Sequence, residues 1–170
     1  PSYDPPVHYV SLPRPGRGTL RGQPAIQQGR ARNPAHEAEN MRSLHSQNTS
    51  ADVLIRHGYD VTHLGEGEAG ADYRIRDSQY TMRYDCYAVN PNADLDAVHQ
   101  RVLTKARHPD HPEPRLVVNL QDSSHTPQDI ARRMTEEPIP GLLELLIVTR
   151  DGRLYQYDAH TERVTQVTPR

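Results

Sequence analysis

The chain of 170 residues lacks phenylalanine and tryptophan, and it contains one cysteine and one lysine. Its core must therefore be built from leucine, isoleucine, valine, alanine and tyrosine, and the apolar content of 34% is enough for one core of modest size. A single cysteine excludes an internal disulfide framework. No apolar run approaches the ~18 residues of a membrane span, so we expect no membrane insertion. The net charge of −2 gives no general sign of a nucleic-acid partner.

The first 32 residues differ in composition from the rest. They include six prolines and four glycines without an apolar period, and five arginines within residues 1–35 are opposed by Asp4 alone. Because proline removes backbone donors and glycine resists ordering, this composition predicts an extended, disordered arm or linker over residues 1–32 that adds nothing to stability. The alternative is a basic strap onto nucleic acid or onto a larger protein complex. Residues 33–170 are predicted to form one folded domain.

The predicted domain begins with a long helix. Asn33 and Pro34 are typical of a helix start, and Gly58 is typical of a helix end. Between them, apolar residues recur every three to four positions from Met41 to Ile55, and this stripe predicts the buried face.

The remaining signals predict an α/β fold in which helices flank a mixed β-sheet. Asp94 and Thr126 are N-caps of two further helices. Alternating or continuous apolar runs predict six strands, at residues 59–64, 72–75, 80–87, 115–120, 142–149 and 153–157. The order is helix, three strands, helix, strand, helix and two strands, which is typical of an α/β sandwich.

Asp72 and Asp85 lie on adjacent predicted strands, each next to an aromatic residue, and a hairpin can bring them side by side. Two carboxylates so placed repel each other, and the common remedies are a shared proton or a divalent cation. A Mg²⁺ ion held there would polarise a phosphodiester and generate hydroxide. Lys105, on the second helix, is a further candidate, because lysine can position or deprotonate a water where arginine cannot. Alternatively, both aspartates cap turns and Lys105 is solvated.

Other reactive residue types show no catalytic pattern. His108 and His111 lie among prolines and favour a rigid loop over a zinc site. Cys86 has no neighbouring histidine and is interpreted as a small buried side chain.

Several short blocks together resemble one known family over about residues 40–157. The blocks are 50–54, 57–61, 71–73, 84–88, 117–120 and 138–141. In their order and spacing they look like the C-terminal tRNase domain of CdiA, the nuclease toxin of contact-dependent inhibition systems. Relatives of that domain occur among bacterial polymorphic toxins.

This resemblance implies a PD-(D/E)xK nuclease-like fold with Mg²⁺ or another divalent cation bound by Asp72 and Asp85. Asp72 matches the aspartate of the family's Pro-Asp-Tyr block, Asp85 that of its Phe-Asp-x-Tyr block, and Lys105 a lysine on the following helix. In this chain Ala71 replaces the proline, and Gln47 replaces a glutamate of the first helix. Glutamine keeps the shape but loses a charge that helps to hold the cation.

The resemblance also implies tRNA as substrate, an immunity protein as partner, and delivery within a larger secreted bacterial protein to the cytoplasm of a target cell. Three functions are open at this point. The first is a metal-dependent tRNA nuclease toxin domain. The second is a catalytically degenerate nuclease-fold module used for binding or as a structural subunit, which Gln47 favours. The third is an unrelated α/β adaptor that its arm straps to a larger complex.

Overall fold

The computed structural model describes residues 4–23, 34–65 and 71–169. The expected cap Asn33 and most of the glycine-rich loop after residue 65 lie outside these ranges. Three helices are present within them: α1 (Pro34–Arg56), α2 (Leu95–Ala106) and α3 (Pro127–Glu136). The strands are β1 (Leu20–Arg21), β2 (Asp60–His63), β3 (Tyr73–Arg76), β4 (Thr81–Ala88), β5 (Arg115–Asn119), β6 (Glu144–Val148), β7 (Leu154–Asp158) and β8 (Arg163–Val167).

The described strands form one mixed sheet in the order of the sequence, from β1 to β8. Strands β4, β5 and β6 are parallel to one another at its centre. Antiparallel pairs extend it on both sides, and β1 pairs parallel with β2 at one edge. Strands β5 and β6 are buried along their whole length, as expected for continuous apolar strands that helices cover on both faces. The predicted α/β fold is therefore confirmed.

Each face of the sheet carries its own apolar core. Helix α1 covers one face, where Leu54 packs with Val117 of β5. Helices α2 and α3 cover the other face, where Val98 and Ile130 pack with Val118 of β5. Successive β5 side chains thus point to opposite faces, as the pleat of a strand requires. No helix of the described residues combines the length and apolarity needed to cross a bilayer.

The buried face of α1 differs from the prediction in its first half. Met41 is 45% exposed, whereas Ala51 and Leu54 are fully buried. Only the second half of the helix packs on the sheet core, and the first half borders a polar cleft. The end of α1 agrees with the sequence, because Gly58 adopts a φ of 95° that favours glycine.

Residues 4–23, the N-terminal strap, pack on the domain, which corrects the prediction of a free arm. The Ser11 amide and hydroxyl both donate to Glu144 Oε2, at 3.0 and 2.6 Å. The Leu12 amide donates to Asp77 Oδ2 at 2.8 Å. Further along, the Gly18 amide donates to the Ile55 carbonyl at 2.6 Å, and β1 joins the sheet.

The physical reason for this correction is that acidic side chains of the domain supply acceptors for the strap. Glu144 is fully buried and Asp77 is 1% exposed, so their carboxylates need donors that water cannot provide. The linker prediction for residues 1–32 is therefore wrong over residues 4–23. Residues 1–3 and 24–32 lie outside the described ranges.

Candidate active site

A cleft of about 400 Å³ opens where α1, α2 and the β3–β4 hairpin meet. Asp72, Asp85 and Lys105, the three predicted site residues, all line it. Gln47, which the resemblance places where a glutamate is expected, lines it from α1. The structure thus brings together the residues that the sequence singled out.

The hairpin register places the two aspartates side by side. Tyr73 pairs with Tyr84, so Asp72 and Asp85 follow as the next facing pair. The Asp72 amide donates to the Tyr84 carbonyl at 3.2 Å, which extends the ladder beyond the start of β3. Both tyrosines join the core under α1, and alternation therefore turns both aspartates away from that core.

The two carboxylates are close enough to share a proton. Burial, followed by the adjacent Asp85 carboxylate, raises the pKa of Asp72 from its ordinary 3.8 to about 8. The Cys86 amide donates to Asp72 Oδ2 at 2.8 Å and fixes the orientation of the side chain. The Cys86 thiol is itself buried, and burial raises its pKa to about 12, so it is no nucleophile.

Lys105 pairs directly with one of the two aspartates. Its Nζ lies 2.5 Å from Asp85 Oδ2, and the side chains are 18% and 9% exposed. The alternative of a solvated lysine is therefore excluded. The ammonium group balances one carboxylate, and the second carboxylate needs either a proton or a cation.

The donor set fits a divalent cation of the magnesium type. Mg²⁺ is commonly held by one or two carboxylates and retains several waters, and Asp72 with Asp85 meets that requirement. Within the described ranges, no three His, Cys, Asp or Glu side chains group closely enough to hold an ion. Glu39 also borders the cleft, but both of its oxygens accept hydrogen bonds from Arg42.

Arg42 lines the cleft and Glu113 interacts electrostatically with Asp85, and neither residue carried a sequence signal. Arg42 donates to the Ala88 and Val89 carbonyls at 3.0 and 3.3 Å, and so ties α1 to the end of β4. Glu113, 8% exposed in a proline-rich loop, stands close to Asp85. Burial, with the Asp85 charge as a second cause, raises the Glu113 pKa to about 7.

In magnesium-free buffer we expect the free energy of unfolding to fall as pH rises from about 4 to about 8. In that window the folded protein holds a proton on Asp72 that the unfolded chain has already released, so rising pH favours unfolding. Asp72→Asn is neutral at every pH and should remove this part of the slope in urea titrations. Asp96→Asn, on an 83% exposed side chain, is the matched control. Equal slopes for Asp72→Asn and the wild type would contradict a shared proton.

The fold is of the class found in CdiA C-terminal toxin domains, which confirms the resemblance of the sequence blocks. A chain of the CdiA-CT/CdiI toxin and immunity complex from Burkholderia pseudomallei superposes with a TM-score of 0.66 and 27% identity, over 83% of this chain and 99% of that one. The tRNA nuclease CdiA-2 of Burkholderia pseudomallei (strain 1026b) is 29% identical over 123 residues. That match covers 71% of this chain and 4% of the curated relative. No protein-family model matches the chain.

Proposed function

We propose that this chain is a metal-dependent tRNA nuclease, the toxin domain of a larger secreted bacterial protein of the contact-dependent inhibition or polymorphic toxin type. The observation that carries the proposal is the convergence of Asp72, Asp85 and Lys105 in one cleft. The printed names of the two similar proteins support the substrate class and the toxin role. In this proposal α1, α2 and the hairpin build the site of a PD-(D/E)xK-like nuclease.

The chemistry of the cleft supports hydrolysis of a phosphodiester. A Mg²⁺ ion held by Asp72 and Asp85 would polarise the phosphodiester and lower the pKa of a bound water. Lys105 neutralises Asp85 and presents a positive charge where negative charge develops on the phosphate. The Cys86 amide and the hairpin ladder hold Asp72 in place before substrate arrives, which lowers the cost of reorganisation.

Incubation of the purified 170-residue chain with total tRNA tests the proposal. We expect discrete tRNA fragments in Mg²⁺ and intact tRNA in EDTA. Asp85→Asn should lose cleavage, because it removes one of the two carboxylates that would hold the ion, while the exposed Asp96→Asn should retain it. Intact tRNA at every Mg²⁺ concentration would contradict the proposal that the chain is a nuclease.

An immunity protein as partner and delivery to the cytoplasm of a target cell belong to the same proposal. They are supported by the similar structure, which is a toxin and immunity complex. Expression of the chain inside a bacterial cell should arrest growth in step with tRNA loss. Arrest by the Asp85→Asn variant at equal expression would separate toxicity from cleavage.

A degenerate module used for binding, or as a structural subunit, is the second candidate function, and Gln47 is the observation that favours it. An amide oxygen can coordinate a cation but brings no charge, so ion affinity is lower than with a glutamate at this place. Gln47→Glu is therefore expected to raise activity, or to lower the Mg²⁺ requirement on the order of tenfold.

A Mg²⁺ titration of tRNA cleavage measures this change. Gln100→Glu, on an exposed glutamine of α2, adds the same charge away from the cleft and should change nothing. No activity in the wild type and none in Gln47→Glu would favour the binding module.

A further inference from the structure

A second groove, of about 1110 Å³, lies beside the β3–β4 hairpin and is larger than the candidate active site. Three arginines of the hairpin line it: Arg74, Arg76 and Arg83. Residues 4–7 of the N-terminal strap, residues 111–115 from the loop after α2 to the start of β5, and Leu143 line its other sides. The groove is therefore built from four separate parts of the chain around a basic centre.

The arginines share one face of the hairpin with the active-site aspartates. Arg74 pairs directly with Arg83 across the two strands. Arg76 and Asp72 lie two residues from Arg74 in either direction, and Asp85 lies two residues beyond Arg83. Because residues two apart point to the same face at about 6.6 Å spacing, the arginines lead in a continuous track to the aspartates.

The cross-strand pairing of two arginines does not by itself stabilise the hairpin. Like charges directly opposite each other on neighbouring strands are destabilising, yet Arg74 and Arg83 occupy such a pair. Arg76 and Arg83 are exposed at the surface. Among the described residues, the acidic groups that line the groove are Asp4, in the strap, and Glu113, which is 8% exposed. The arginines therefore outnumber the carboxylates, and the groove has a positive balance.

A strand of linked phosphodiester groups matches both the charge and the shape of this row of arginines. The guanidinium group binds phosphate oxygens in a bidentate manner, which lysine cannot do. Carboxylates repel phosphate, so the arginines offset that repulsion where a strand approaches the aspartates. Spacing of about 6.6 Å between side chains on one face is close to that of successive phosphates in an extended strand.

We infer that the groove of Arg74, Arg76 and Arg83 binds the sugar-phosphate backbone of the RNA next to the cleaved bond. This inference rests on the proposed function and adds the path of the substrate to it. The track fixes the register of the strand but reads no bases, because contacts to phosphates carry no sequence information.

Binding of total tRNA in EDTA, measured over a range of salt concentrations, tests the inference. The double variant Arg76→Gln/Arg83→Gln is expected to weaken binding at least tenfold at moderate salt. The slope of log K against log salt should fall by roughly 0.7–0.9 for each phosphate contact removed. Arg153→Gln, on a 61% exposed arginine that does not line the groove, should match the wild type. Thermal midpoints check that the variants are folded.

The outcomes separate this inference from the proposed function. If the wild type cleaves tRNA and the arginine variants bind tRNA as tightly as the wild type, the RNA-binding role of the groove is wrong and the nuclease proposal is unaffected. Wild type that never cleaves, with arginine variants that lose tRNA binding, supports the groove and rejects the nuclease. Polyglutamate that displaces tRNA at equal charge concentration and shows the same arginine dependence would reassign the groove to an acidic protein, and so overturn the inference.

Discussion

Lys105→Ala is expected to lower tRNA cleavage at least about a hundredfold. Lys105 is the only lysine of the sequence, and its ammonium group lies 2.5 Å from Asp85 Oδ2 inside the candidate active site. Its loss leaves two adjacent carboxylates without the charge that neutralises one of them and removes a positive group from the cleft. Single-turnover cleavage of total tRNA, at enzyme in excess, measures the chemical step apart from product release.

The same substitution should also lower stability, because Lys105 forms an ion pair with Asp85 and is not solvated. Asp85 is 7% exposed, and breaking a mostly buried ion pair costs about 3 kcal/mol in free energy of unfolding. Lys105→Arg keeps the charge and should recover most of the stability but little activity, because a guanidinium is larger and cannot release a proton.

The control is Arg107→Ala, which removes a cation from the residue that caps the same helix. It should leave cleavage unchanged, because Arg107 does not line the cleft. If the Lys105→Ala variant, assayed below its own melting temperature, cleaves tRNA at the wild-type rate, then Lys105 has no catalytic role.

The elements that the sequence predicted well depend on contacts between near neighbours. Asp94 accepts a hydrogen bond from the Ala97 amide at 2.8 Å, and Thr126 exchanges hydrogen bonds with Asp129 in a capping box. Such caps are complete within four residues, so they are visible in the sequence. The facing of Asp72 and Asp85 is similarly local, because one tight hairpin sets the register between them.

Two strands escaped prediction because nothing local marks them. Strand β8 carries mostly polar, exposed side chains, and it holds its place at the sheet edge by pairing with β7. Strand β1 has two residues in a glycine-rich segment and exists through its pairing with β2. A polar edge strand has no apolar period, so only the partner strand reveals it.

The candidate active site was likewise predictable from the sequence only in part. The residue pattern and the resemblance together supplied the roles of Asp72, Asp85 and Lys105, and those roles stay predictions. What the sequence did not supply was the ion pair between Lys105 and Asp85, since the pair joins a helix to a strand 20 residues away. Glu113 was also missed, because a glutamate between two prolines is typical of an exposed loop, and only the fold shows that this side chain is buried.

Deletion of residues 1–23 is expected to lower the thermal midpoint by on the order of 10 °C. The N-terminal strap supplies donors to two carboxylates that the domain buries, Asp77 and Glu144. Loss of a hydrogen bond to a buried charged group costs about 1.5–3 kcal/mol, and a chain of this size loses about 2–4 °C per kcal/mol. The hydrogen-bond partners of the strap lie up to 145 residues away in sequence, which explains why composition alone predicted a linker.

Two matched variants distinguish the stabilising contacts of the N-terminal strap from a general effect of shortening the chain. Deletion of residues 1–7 removes only the part of the strap that precedes the buried Ser11, and the midpoint should change little. Gly18→Ala keeps every residue but places a Cβ 1.8 Å from the Tyr59 carbonyl oxygen, where backbone must move. It should therefore lower the midpoint as the long deletion does, though by less. Equal midpoints for the wild type and the 1–23 deletion would mean that the contacts of residues 4–23 add nothing to the stability of the domain.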